Sequence, residues 1–232
     1  MDFNFSDDQE QLRDAVRKWV DKGYDFERRR KAVEAGGFDR SVWNELAELG
    51  LAGLYIPEAD GGMGMGPVEG MVVMEELGRG MVLEPLNQAL IAGGVLSGYA
   101  PDALKTEWLP RIAAGDALVV LASQERRARY RLDVCDAKAT QSSVGWSLTA
   151  TKNVVPVGDQ ADAFLVPATV NGAVALFLVA RGASGVSTRG YGTQDGGRAA
   201  DLILQNAPAS LITTDGLAAL ELAEDIGIAA TC

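Results

Sequence analysis

The most concentrated chemical signal in the chain is the run Arg126-Arg127-Ala128-Arg129-Tyr130-Arg131, four arginines and a tyrosine in an otherwise acidic protein. Guanidinium forks match phosphate oxygens in pairs, so the run has the composition of a phosphate contact. It follows an apolar strand-like segment, and sites often lie just past strand ends. It fits a solvated loop equally well, and the residues by themselves leave both readings open.

The other candidates are weaker. Glu75 and Glu76 are adjacent on a helix, so their side chains diverge and cannot flank one substrate; a solvated face or an ion pair with Arg79 is the better reading. Gly61-Gly62-Met63-Gly64-Met65-Gly66 has the wrong spacing for a nucleotide-binding loop and no following lysine, so it reads as a tight turn. The chain has no histidine, which removes Ser-His-Asp and Cys-His catalysis and histidine metal sites. Cys135 and Cys232 form neither a disulfide framework nor a metal-ligand spacing, and are taken to imply a reducing, cytoplasmic compartment. Chemistry must come from carboxylates, a bound cofactor, or residues supplied from elsewhere.

A net charge of −11 argues against nucleic acid or anionic lipid as a partner, because phosphate contacts need concentrated Lys and Arg. With 232 residues, 47% of them apolar, the chain can bury a substantial core of one or two domains. No stretch approaches the roughly 20 apolar residues of a membrane helix, and the acidic opening MDFNFSDDQEQ does not resemble a secretory leader.

The first half reads as helical. Ser6 and Gln9 have capping-box spacing, and Leu12, Val16, Trp19 and Val20 share one face. Trp43 to Gly50 reads as a short helix with a glycine stop, and Pro67 suits the first position of the next. Glu84 to Ser97 and Ala103 to Ala113 are expected to complete a helical bundle. From Ala117 to about Pro208 the runs become short and β-branched, with Asn171-Gly172 as a hairpin turn, which points to a small barrel or sandwich. Asp215 to Cys232 turns helical again, with Leu217, Leu220, Ile226 and Ala229 spaced for burial. No partner helix follows it, so the chain is expected to be truncated and to self-associate through this face.

Several segments resemble acyl-CoA dehydrogenases. LAELGLAGLYIPEADGGMGMGPVEGMVVMEELGRG (residues 46–80) is similar to the family's LAELGLLG..PEEYGG and EELGR, and the opening segment to its F.f.eeq..lr..vr.f. Trp108 to Gly115 resembles YLPKLASGE, and Gly145 to Lys152 resembles GdgyvLNGxK. Leu83 to Leu86, Arg129-Tyr130 with Leu132, and Tyr191 to Ala200 look closest to the small-subunit type related to pimeloyl-CoA dehydrogenase.

The resemblance implies an N-terminal all-α domain (1–115), an antiparallel β-barrel domain (116–210), and the start of a C-terminal four-helix domain (211–232). It implies FAD between barrel and C-terminal helices, an acyl-CoA substrate, an electron-transfer flavoprotein or similar acceptor, and a homo- or hetero-oligomer. In most members a glutamate of the C-terminal domain removes the α-proton while the β-hydrogen leaves as hydride. No counterpart of that glutamate is identified in these residues, so this fragment alone is expected to be inactive.

Carried over by motif, the expected flavin contacts are Leu121, Ser123, Gln124, Tyr130, Val154, Val155 and Pro156, and the expected substrate contacts are Arg126, Arg127 and Arg129. The family's TEPxAGSD aligns with Gln124 to Arg131, so Gln124 stands in place of the threonine at the flavin pyrimidine edge and Tyr130 in place of a serine near the pyrophosphate. The family's K.WITNG aligns with Lys152 to Gly158, so Val154 replaces the tryptophan over the flavin and Pro156 the threonine near N5. Pro156 brings neither a hydroxyl nor a backbone N–H. These departures motivate a second expectation, a flavin-poor partner subunit whose companion performs the chemistry.

Overall fold

The computed structural model describes residues 4–128 and 130–231. Six helices come first: α1 (Asp7–Gly23), α2 (Phe26–Glu34), α3 (Arg40–Glu48), α4 (Pro67–Arg79), α5 (Leu86–Tyr99) and α6 (Asp102–Ala113). Seven strands follow: β1 (Val119–Leu121), β2 (Lys138–Ser142), β3 (Gly145–Pro156), β4 (Ala163–Val170), β5 (Ala173–Ala180), β6 (Val186–Gly192) and β7 (Arg198–Thr213). A last helix, α7 (Gly216–Ala229), ends the described chain.

Local chemistry sets the helix ends. Ser6 Oγ accepts the Gln9 N–H while Gln9 Oε1 accepts the Ser6 N–H, a reciprocal cap that starts α1. Gly50 stops α3 with φ 80°, a conformation that glycine adopts without a Cβ penalty. Gly62 has a different reason: a Cβ there would lie 2.1 Å from the Ile56 carbonyl oxygen, so the glycine-rich turn folds back onto the segment before it. The Glu75-Glu76 pair splits as expected from helix geometry. Glu76 is buried between Arg17 (2.6 Å) and Arg79 (2.8 Å), and Glu75 stays exposed. Helix α5 begins at Leu86, not at Glu84, because Pro85 disfavours helical backbone in the residue before it.

The strands form one sheet in the order β1-β4-β2-β3-β7-β5, closed by the β4–β5 pairing, with β6 on β7. Most pairs are antiparallel, as expected, but β1 and β2 run parallel to β4. The β4–β5 hairpin turns through Asn171 (φ 50°) and Gly172 (φ 86°), joining Val170 to Ala173 in register. Trp43 of α3 donates from its ring N–H to the Gly115 carbonyl at 2.9 Å, fixing the crossing from helices to strands. Arg198 of β7 bonds both the Asp159 carboxylate and the Gly36 carbonyl, which ties the barrel to the loop after α2.

Helix α7 corrects one expectation. Its apolar face is covered: it packs along α5, with Ala219, Leu220, Ala223 and Ile226 buried. Gly94 of α5 makes room, since a Cβ there would stand 2.6 Å from Ile226 Cδ1. Of the four residues expected on the buried face, Leu217 is exposed and Ala229 is only half-buried.

Candidate functional site

The expected cofactor residues lie on two segments, the chain leaving β1 and the end of β3. A single backbone bond joins them, from the Asn153 N–H to the Gln124 carbonyl at 2.9 Å. Beneath it, the Lys152 ammonium, with no exposed surface, donates to Glu125 Oε1 at 2.6 Å. The same carboxylate accepts the N–H groups of Asp136 and Ala137. Burial pushes the Glu125 carboxyl up, but the Lys152 bond and the two backbone donors prevail and hold it below its ordinary value. The pair is a buried clamp, and it presents the residues on either side of it to the surface.

Leu121 is half-buried at the end of β1, and its N–H donates to Gln88 Oε1 of α5 at 3.0 Å. Ser123 and Gln124 edge a small pocket whose far side includes Leu220 of α7. Tyr130 is 91% exposed. No group among the described residues bonds the side chains of Ser123, Gln124 or Tyr130, which leaves an amide and two hydroxyls for a ligand. On β3, Val154 takes φ 53° and is exposed, Val155 turns inward with 1% exposure, and Pro156 is exposed. Val155 therefore offers a ligand its backbone only.

The basic run is divided. Arg127 pairs with Asp136 at 3.1 Å and Arg131 with Asp133 at 2.5 Å. Arg126 has no ion pair among the described residues and borders an open cleft of about 600 Å3 on the barrel wall, shared with Thr151, Asn153, Arg189 and Asp201. Arg129 lies outside the described residues.

A second cleft, about 350 Å3, lies between helices and barrel. Met74, Val82, Leu83, Glu84, Pro85 and Asn87 face Val154, Pro156, Val157 and Ala199 across it, with Asp195 and Arg198 at the barrel side. Glu84, which sequence reasoning passed over, is the buried carboxyl of this cleft. Only 5% exposed, it accepts the Asp39 N–H through Oε1 at 3.2 Å, while Oε2 is buried without a partner. Burial raises its carboxyl to about 7, with the Asp39 charge adding and backbone donors and Arg28 opposing. The available signal was an acid set between Leu83 and Pro85, which cannot belong to a helix face.

Comparisons with known proteins bear on the family and the fold. Residues 6–116 match the family model described as Acyl-CoA dehydrogenase, N-terminal domain. The acyl-CoA dehydrogenase FadE27 of Mycobacterium tuberculosis is 32% identical over 171 residues, 73% of this chain and 44% of that protein. Among solved structures, the Tcur3481-Tcur3483 steroid ACAD G363A variant superposes with a TM-score of 0.88 at 28% identity, covering 96% of this chain and 62% of that one. The ChsE4-ChsE5 complex from Mycobacterium tuberculosis gives 0.86 at 29%, covering 96% and 61%. Helical layer, barrel and sequence motifs together make the chain a member of the acyl-CoA dehydrogenase family. It spans less than half the length of the FadE27 relative it matches. Among the described residues no helix is long and apolar enough to cross a membrane.

Proposed function

We propose that this chain forms the helical and barrel walls of the active site of an FAD-dependent acyl-CoA dehydrogenase, which removes hydrogen from Cα and Cβ of an acyl-CoA thioester. The observation that carries the reading is the Asn153–Gln124 bond, which brings the segment 121–130 beside the segment 154–156. The unpaired side chains of Ser123, Gln124 and Tyr130 fit a group with a polar ring edge and phosphates, and Val154 and Pro156 supply an apolar cover. When bound, the flavin would supply the acceptor for the hydrogen that leaves Cβ with its electron pair. Gln124 would orient the ring edge, and Arg126, Arg127 and Arg129 would hold phosphates of cofactor or thioester. An electron-transfer flavoprotein or similar acceptor, an oligomeric assembly and a reducing, cytoplasmic setting complete the reading.

A specific observation favours a second reading. Pro156 carries no donor where the family motif that this segment resembles, K.WITNG, has threonine, and the ChsE4-ChsE5 structure is a complex of two differently named chains. In this reading the chain is a flavin-poor subunit that shapes a companion's site. Expression of the complete gene, alone and with a co-encoded relative, separates the two. A yellow protein whose flavin absorbance bleaches anaerobically with an acyl-CoA supports the first. A colourless protein that co-purifies with a yellow relative supports the second.

A further inference from the structure

We infer that the cleft between helices and barrel selects an acyl chain bearing an uncharged oxygen, a ketone or a hydroxyl, and that Glu84 is the residue that recognises it. The inference rests on the acyl-CoA reading. The cleft walls are mostly apolar, from Met74, Val82, Leu83 and Pro85 on one side to Val154 and Pro156 on the other. Such walls suit a hydrocarbon body. Within them Glu84 Oε2 has no protein partner. Asn87, half-buried three residues on, also has no side-chain partner among the described residues. An unsatisfied buried polar atom is costly, and a ligand oxygen that satisfies it recovers that cost.

The form of the carboxyl decides which oxygen fits. Oε1 already accepts the Asp39 N–H, so a proton on the group resides on Oε2, the oxygen without a protein partner. A protonated carboxyl donates, and a ketone or hydroxyl oxygen accepts. A carboxylate-tailed chain is disfavoured, because Asp39 on the helical side and Asp195 on the barrel side add negative charge. The other groups facing Glu84 are Tyr24, which accepts the Leu83 N–H, and Arg28, which is engaged by Glu45. Tyr24 also stands close enough to act on the Glu84 carboxyl. Across the cleft, Arg198 is engaged by Asp159, and Asp195 by Thr193 and Gly197. None of these makes a hydrogen bond to Oε2.

A saturated chain buried here leaves Oε2 unpaired, and sites that lose such a pairing discriminate strongly. The test measures Kd by equilibrium dialysis for medium-chain acyl-CoAs with and without a terminal ketone or hydroxyl, using the product of the complete gene. Wild type is expected to prefer the oxygenated chain by about tenfold or more. Glu84→Leu should bring that ratio to about one, and Glu84→Gln, whose amide still donates, should keep it. The wild-type preference for the ketone should also fade as pH rises through about 7, whereas that of Glu84→Gln stays flat. No preference in wild type, or one that survives Glu84→Leu, overturns the inference. If Glu84→Leu does not fold, a pH-independent wild-type ratio overturns it as well. Plain acyl-CoA binding without preference defeats only this inference, whereas no binding of any acyl-CoA by a flavin-free protein defeats the acyl-CoA reading too.

Discussion

Lys152 and Glu125 meet at 2.6 Å with almost no exposed surface, and each stands beside a residue of the candidate site, Asn153 and Gln124. The pair holds the chain after β1 against the end of β3. Its value lies in placement, since buried ion pairs contribute little net stability but are costly to break.

Lys152→Met should therefore destabilise the protein by about 3–5 kcal/mol, because it strands a buried carboxylate with only backbone donors. Chemical denaturation at neutral pH checks this. Below the ordinary carboxylate range the penalty should shrink, because protonation of the stranded Glu125 carboxyl removes the buried charge that Lys152 compensates. Its stabilising contribution exists above the ordinary carboxylate pKa and is lost as pH falls.

Glu84 carries the opposite sign. Its carboxyl is raised from 4.5 to about 7, so the folded state retains a proton that the unfolded chain releases. Its contribution is fully present below the unfolded value and is lost as pH rises through about 7. Glu84→Gln should remove that dependence and leave the variant more stable than wild type above this window, by at most on the order of 3 kcal/mol. Urea midpoints measured in steps across the window read the difference.

Gly172→Ala tests the hairpin. A Cβ there meets nothing within 4 Å, so any cost is backbone conformation at φ 86° alone. A loss of about 1 kcal/mol is expected, with β4–β5 pairing retained. Thermal unfolding measures it.

Pro156→Thr restores a hydroxyl at the exposed end of β3. It should tighten flavin retention by about three- to tenfold, the worth of one hydrogen bond. Titration of the apoprotein with FAD, followed by flavin fluorescence, checks this. No change would place Pro156 away from the cofactor.

Much of the architecture was legible in local chemistry. The cap at Ser6, the stop at Gly50, Pro67 at the start of α4 and the Asn171-Gly172 turn each follow from backbone rules that hold wherever those residues occur. β2 was not legible: Lys138 to Ser142 is polar and mostly exposed, so no alternation marks it, and only pairing with β3 makes it a strand. The cover of α7 was legible in principle. α5 is apolar around its whole circumference, and a helix of that kind needs partners on more than one side. Glu84 was hidden because its character comes from burial by the segment around Asp39 and by the barrel, both distant in sequence.

The most direct test of the proposed function is the visible spectrum of the purified product of the complete gene, recorded anaerobically before and after adding an acyl-CoA. The proposal predicts bound flavin whose long-wavelength absorbance is bleached by the thioester. A folded protein that stays colourless when incubated with FAD, and shows no spectral response to acyl-CoA, would contradict it.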